Sequence, residues 1–228
     1  TWILRMRRFF CFHADRVVSN NGRRGGKMKF DKNKNFLIKE KELIQVLSNA
    51  FSRMLKRDIV LFDINPQERA FMHRFAFELH KEFSEAEEYE VEGKNILSLD
   101  VEYNRDGNWL KHEDPENPET HKWIAPDIIL HERKSGEYEG AAKNRNNILA
   151  LEMKRDGTSD GKDADRLKKF IEKRKYLYAI DFYRFAGNGD HEFNLYGQNL
   201  KQKKFRYNNN SNMFEEVWDE KNDFMYKG

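Results

Sequence analysis

Cysteine is nearly absent: 228 residues hold one, Cys11. A lone thiol can close no internal disulfide and furnish no cysteine-rich zinc site, so both kinds of small stapled scaffold are excluded, and a reducing, cytoplasmic setting is the expectation. Long apolar runs are missing as well. None approaches the ~18 residues that a membrane-spanning helix requires, so no membrane partner is expected. No internal repeat is visible, which excludes a repeat array. Global basicity is also lacking, although the net charge of +3 suggests it at first sight. Residues 1–27 hold seven Lys and Arg against one Asp; that stretch contributes +6, which leaves −3 for the rest. Any phosphate-binding surface must therefore be local.

What is present is a chain that is 38% hydrophobic and 36% charged. This describes one domain with adornments, long enough to bury a sizeable core beneath a highly charged surface. Residues 1–27 read as a leader outside the fold. Met28 opens a normal polar start, Lys29-Phe30-Asp31-Lys32-Asn33, and is the expected initiator; the competing reading is an Arg-rich targeting peptide.

Two short pieces carry the chemistry. Pro126-Asp127 opens the apolar run Ile128-Ile129-Leu130-His131, and Glu152-Met153-Lys154 closes the run Asn147-Ile148-Leu149-Ala150-Leu151. Both runs read as β-strands bounded by polar turns. Strand side chains alternate between faces. Glu152 and Lys154 therefore share a face with Ile148 and Ala150, while Leu149, Leu151 and Met153 point the other way. With the two strands side by side, Asp127 brings a second carboxylate to Glu152 and Lys154. Hard divalent cations are held at phosphates by one or two carboxylates plus water and substrate oxygens. An ion so placed stabilises charge on phosphoryl oxygens and acidifies water, and an adjacent lysine can orient that water or help deprotonate it. Without a cation the crowded carboxylates repel one another.

A proline-aspartate, a gap of about two dozen residues and Glu-x-Lys on a hydrophobic strand resemble the PD-(D/E)xK nuclease superfamily. Glu102-Tyr103-Asn104-Arg105, ahead of the Pro-Asp strand, is similar to a group of small bacterial members with this core. The resemblance implies an α/β fold with a restriction-endonuclease-like core over residues 65–198. That core is a central mixed β-sheet flanked by helices in the order helix, three strands, helix, strand. Residues 28–64 become an N-terminal helix and link, and 199–228 a polar C-terminal extension. The resemblance also implies that Asp127 and Glu152 hold Mg2+ or Mn2+, that the Met153 backbone carbonyl adds a ligand, and that Lys154 serves the attacking water. A glutamate of the first core helix joins the metal site in that superfamily, and Glu68 is the candidate. Nucleic acid, with DNA the expected class, is the implied partner, and many relatives act as homodimers. Two other readings stand beside it: the same core as a non-catalytic nucleic-acid- or protein-binding module, and an ordinary α/β protein in which Glu152 and Lys154 pair across solvent.

The rest of the chain supplies the setting. Residues 36–57 have the spacing of an amphipathic helix. After a link at 58–64, Asn65 and Pro66 announce a second helix running to about Phe83. Glu68 is placed equally well to close a capping box and to stand at the centre of the stripe of Phe71, Met72, Phe75, Ala76, Leu79 and Phe83. Residues 95–104 read as the first strand, with Asp100 and Glu102 on its polar face. Glu102, Arg105 and His131 are candidates for contact with the metal or substrate, His131 because it shares the face of Asp127. The polar connection 104–125 contains His112 and His121, open to a zinc reading, and Trp109 and Trp123, open to base stacking or to packing. Asp163 can cap a helix to about Lys175, whose basic outer face, including Arg166 and Lys168, reads as a solvated face, with a nucleic-acid backbone as the alternative partner. Strands follow at 176–185 and 191–196, and the tail from Gln198 reads as polar and featureless.

Overall fold

Leu43, Leu47, Ala50, Phe51 and Met54 recur at helical spacing and are all buried along one side of helix α1 (Glu40–Arg57). The computed structural model describes residues 29–30, 36–63, 68–87, 90–91, 94–95, 97–102, 105–106, 109–110, 125–132, 147–154, 161–184 and 190–217. α1 starts later than residue 36 because Lys39 is extended and its N–H donates to the Glu42 carboxylate at 3.1 Å, a capping arrangement that fixes the first turn. Phe36–Leu37 instead pairs with Lys29–Phe30 in a two-residue antiparallel ladder. The expected link contains a short helix, α2 (Ile59–Asp63), and α3 runs from Glu68 to Glu87. The Asn65-Pro66 cap lies outside the described residues.

Seven strands form one mixed sheet: β1 (Leu97–Val101), β2 (Ile128–Glu132), β3 (Asn147–Met153), β4 (Tyr178–Arg184), β5 (Glu192–Gly197), β6 (Gln202–Asn208) and β7 (Met213–Val217). Their order in the sheet repeats their order in the chain, and every neighbouring pair is antiparallel except β3 and β4. That parallel pair is joined by α4 (Gly161–Arg174), as a parallel connection requires a crossover. The succession α3, β1, β2, β3, α4, β4 has the order helix, three strands, helix, strand. The tail from Gln198 is not a featureless extension: β6 and β7 complete the sheet as a hairpin. The described residues contain no helix long and apolar enough to cross a membrane.

The sheet separates two cores. On one face α1 and α3 pack over Leu149, Leu151, Met153, Ile180, Phe182, Phe193, Phe205 and Phe214. On the other, α4 lays Ala164, Leu167, Phe170 and Ile171 over Ile129, Ala150, Ala179 and Tyr196. Ile148 departs from the expected alternation. The β2–β3 register shifts between Leu130 and His131, which pair with Leu149 and Asn147, so Ile148 has no place in the ladder and joins the α1–α3 side. α3 is locked onto α1 by buried Glu78, whose carboxylate accepts from Arg53 Nε at 2.9 Å and Lys81 Nζ at 2.9 Å. This fixes the helix that presents Glu68.

Phe51 is the centre of the larger core. Its ring lies 4.8 to 5.4 Å from those of His191, Tyr207, Phe214 and Phe182, and 6.2 Å from Phe75. Phe51→Ala is expected to cost about 4 kcal/mol of unfolding free energy, the usual range for a fully buried aromatic, measured by urea denaturation; a loss under about 1 kcal/mol refutes this central role.

Candidate active site

Ile128 pairs with Leu151, and this register sets Asp127, the residue before β2, opposite Glu152 near the end of β3. Asp127 is tied to the adjacent strand by its own side chain, because Oδ2 accepts the Met153 backbone N–H at 2.6 Å. The next N–H, that of Lys154, donates to the Phe182 carbonyl at 2.7 Å. The Glu-Met-Lys segment is thus held from both sides, by Asp127 and by β4. Met153 itself turns its side chain into the larger core.

Glu152 is 4% exposed, and its Oε1 accepts no hydrogen bond. Burial, followed by the negative charge of Asp127, pushes its carboxyl up to about 8 despite the opposing pull of Arg166 and Lys154. Asp127 is also raised, first by burial and then by the charges of Glu68 and Glu102, with the Met153 N–H acting in the opposite sense. For Lys154 burial works against the ammonium, but Asp163, Glu68 and Glu152 outweigh it and hold the group above its ordinary value. In this setting Lys154 is a cation, suited to orienting water and stabilising negative charge rather than to removing a proton.

Glu68, the first residue of α3, acts electrostatically on both Asp127 and Lys154, so the helix end brings a third carboxylate to the two strand residues. Two further residues belong here that the sequence reading assigned to a helix cap and a solvated face. Asp163, in the first turn of α4, is 3% exposed; its carboxylate lies 3.4 Å from Lys154 Nζ and makes a close ion pair with Arg166. Arg166 in turn reaches Glu152, Nη1 to Oε1 at 3.6 Å. The missed signal was positional: a helix that crosses between the parallel strands must start above the end of β3, where Glu152 stands. Asp181 is another unheralded neighbour. It is fully buried, and its place in β4 is in register with Glu152.

The remaining candidates separate. Glu102, just after β1, is exposed, has a left-handed backbone (φ 50°) and pairs with Arg69 at 3.1 Å; its charge is felt by Asp127, which puts it at the rim. His131 is buried, and its Nε2 is 2.9 Å from Asp100 Oδ2, which makes the two a packed polar pair beside the site. Arg105 lies in the short strand Arg105–Asp106, with its side chain outside the described residues. His112, His121, Trp123 and the side chain of Trp109 also lie outside them.

Among the described residues no group of three or more His, Cys, Asp or Glu is arranged to hold a metal ion. A magnesium site at a phosphate needs only one or two carboxylates, and Asp127 with Glu152 meets that requirement. The donor set fits in charge as well. Glu68, Asp127, Glu152 and Asp163 face Lys154 and Arg166, a formal excess of two negative charges when all are ionised, and one buried carboxylate oxygen has no hydrogen-bond donor. No family model, no curated protein and no solved structure matches this chain.

Proposed function

We propose that the chain is a metal-dependent nuclease of the PD-(D/E)xK type that hydrolyses phosphodiester bonds in nucleic acid, with DNA the expected class and Mg2+ or Mn2+ the cofactor. One observation carries the reading: a carboxylate that is almost fully buried, lacks a hydrogen bond on one oxygen and stands across from a second carboxylate. Burying such a group costs several kcal/mol unless a cation compensates it. A cation site accounts for that cost, whereas a solvent-facing Glu-Lys pair does not fit a Glu152 that is buried beneath α4.

In this reading Asp127 and Glu152 are the ligands, the Met153 carbonyl adds a third, and Glu68 supports the ion directly or through water. The bound ion supplies charge stabilisation to the phosphoryl oxygens and acidifies water. Lys154, kept protonated by Asp163, orients the attacking water and stabilises charge that develops on the phosphate. The Asp127 contact to the Met153 N–H fixes the two ligand strands in register before substrate arrives. The order of elements around them supports a restriction-endonuclease-like core.

The test is a cleavage assay on linear, single-stranded and branched DNA and on RNA, in Mg2+, Mn2+ or EDTA, beside Glu152→Ala. Metal-dependent cutting that disappears in the variant is expected. Cutting that persists in EDTA or in Glu152→Ala overturns the assignment. Absence of cutting together with absence of calorimetric Mg2+ binding favours the non-catalytic module.

A further inference from the structure

The two contacts of Arg166 differ in kind. One guanidinium nitrogen donates closely to Asp163, three residues back on the same helix. The other stands 3.6 Å from Glu152 Oε1, beyond hydrogen-bond length, facing the oxygen that accepts no hydrogen bond. Asp163 is itself anchored, being buried and also in contact with Lys154 at 3.4 Å. The Arg166 head is therefore pinned at one end and loosely engaged at the other, with 28% of its side chain exposed. Lys168, two residues on, behaves differently: it lies over the Tyr196 ring at 5.8 Å and near Asp165 at 3.7 Å, and none of its described contacts reaches Glu152.

We propose that Arg166 occupies the ion-binding side of Glu152 in the ion-free protein and is a phosphate ligand in the loaded one. This rests on the metal-nuclease reading above. When Glu152 takes a divalent ion, two positive groups can no longer share the same oxygen, because their repulsion rises steeply at such distances in a buried setting. The guanidinium then leaves Glu152 while remaining pivoted on Asp163. The planar fork it frees matches the non-bridging oxygens of a phosphate. The nucleic-acid strand thereby replaces the carboxylate that Arg166 has lost, and substrate binding is coupled to prior occupation of the ion site.

Calorimetric titration of Mg2+ into protein without nucleic acid separates the possibilities. Arg166→Gln removes the competitor, so it is expected to bind the ion about tenfold more tightly than the parent chain. Arg166→Lys, which keeps the charge, is expected to stay within about twofold of the parent, and Lys168→Gln to match it. With the nucleic acid that the cleavage assay identifies, Arg166→Gln is expected to cut at least ~10²-fold more slowly although its ion site is fuller. If the parent binds Mg2+ and Arg166→Gln binds it equally or less tightly, Arg166 is a structural brace and the proposal fails, while the nuclease reading stands. If the parent neither binds ion nor cuts, the nuclease reading itself fails. Thermal melting accompanies each variant. Should Arg166→Gln not fold, Arg166→Met, which keeps the packed aliphatic stem, carries the same expected gain in ion affinity and the same refuting result.

Discussion

Glu152→Gln is expected to abolish cleavage, by a factor of at least ~10³, and at the same time to raise the melting temperature of the protein in EDTA. The two effects have one cause. The folded-state carboxyl is pushed up to about 8 by burial and by Asp127, whereas in the unfolded chain it titrates near its ordinary 4.5. The folded state therefore binds more protons than the unfolded one between those values, and stability falls as pH rises through that window. At pH 7 the penalty is on the order of 3 kcal/mol. Glutamine keeps the shape and carries no charge, so it escapes the penalty. For a chain of this size the gain corresponds to about 5–10 °C. The difference between the two proteins is expected to vanish below about pH 4.5 and to be complete above about pH 8. Added Mg2+ narrows it by stabilising only the protein that binds the ion. Scanning calorimetry from pH 4 to 9, with and without Mg2+, reads all of this. A variant less stable than the parent at pH 7 in EDTA means that Glu152 is compensated in the folded protein, and the argument for a cation site is lost with it.

A chain terminated at Leu200 is expected to have no cooperative unfolding transition. It lacks β6 and β7, and with them Phe205, Tyr207 and Phe214, which are 4%, 5% and 3% exposed in the intact fold. Phe193 loses the ring stacked on it at 5.1 Å, and Phe51 loses two of its ring neighbours. Each buried aromatic removed from a core costs about 3–5 kcal/mol, so three reach about 10 kcal/mol. That equals the whole stability of a typical domain, about 5–15 kcal/mol. Far-UV circular dichroism in a urea titration and the dispersion of methyl resonances measure the outcome. A sigmoidal transition near the midpoint of the full chain would mean that the hairpin is an appendage. Phe214→Ala in the full chain gives a graded version, with an expected loss of about 3–4 kcal/mol.

That hairpin is also the clearest place where sequence reading failed, although the signal was present. Phe205 and Tyr207 alternate with Lys204, Arg206 and Asn208, and Asn209, Asn210 and Ser211 form a turn cluster before Met213 and Phe214. Two apolar positions in a strand give a weak period-2 pattern, and long charged side chains on the other face mask it. Where apolar content is dense the pattern is legible. The β2 and β3 runs and the core stripe of α3 lie within a few residues of their expected bounds. The candidate site was legible only where it is local in sequence. Pro126-Asp127 and Glu152-Met153-Lys154 could be found because each is a contiguous piece on a strand. Asp163, Arg166 and Asp181 could not, because their relevance arises from the crossover between β3 and β4 and from register, which composition does not encode. The partner of His131 was hidden for the same reason. Strand alternation groups it with Asp127 and Ile129, but it does not reveal the contact with Asp100.

α1 docks against β7: Phe214 N–H donates to Ser48 Oγ across 166 residues of sequence, and Ser52 Oγ reaches Asn212. On a ribosome the helix emerges well before its strand. At about 5–20 residues per second, roughly 8 to 30 s separate the two. Throughout that interval α3 can shelter part of the apolar side of α1, but the rings that enclose Phe51 from β6 and β7 do not yet exist. The nascent chain thus carries an incompletely covered apolar helix over that interval, and its exposure to misassembly is set by the speed of translation between α1 and β7.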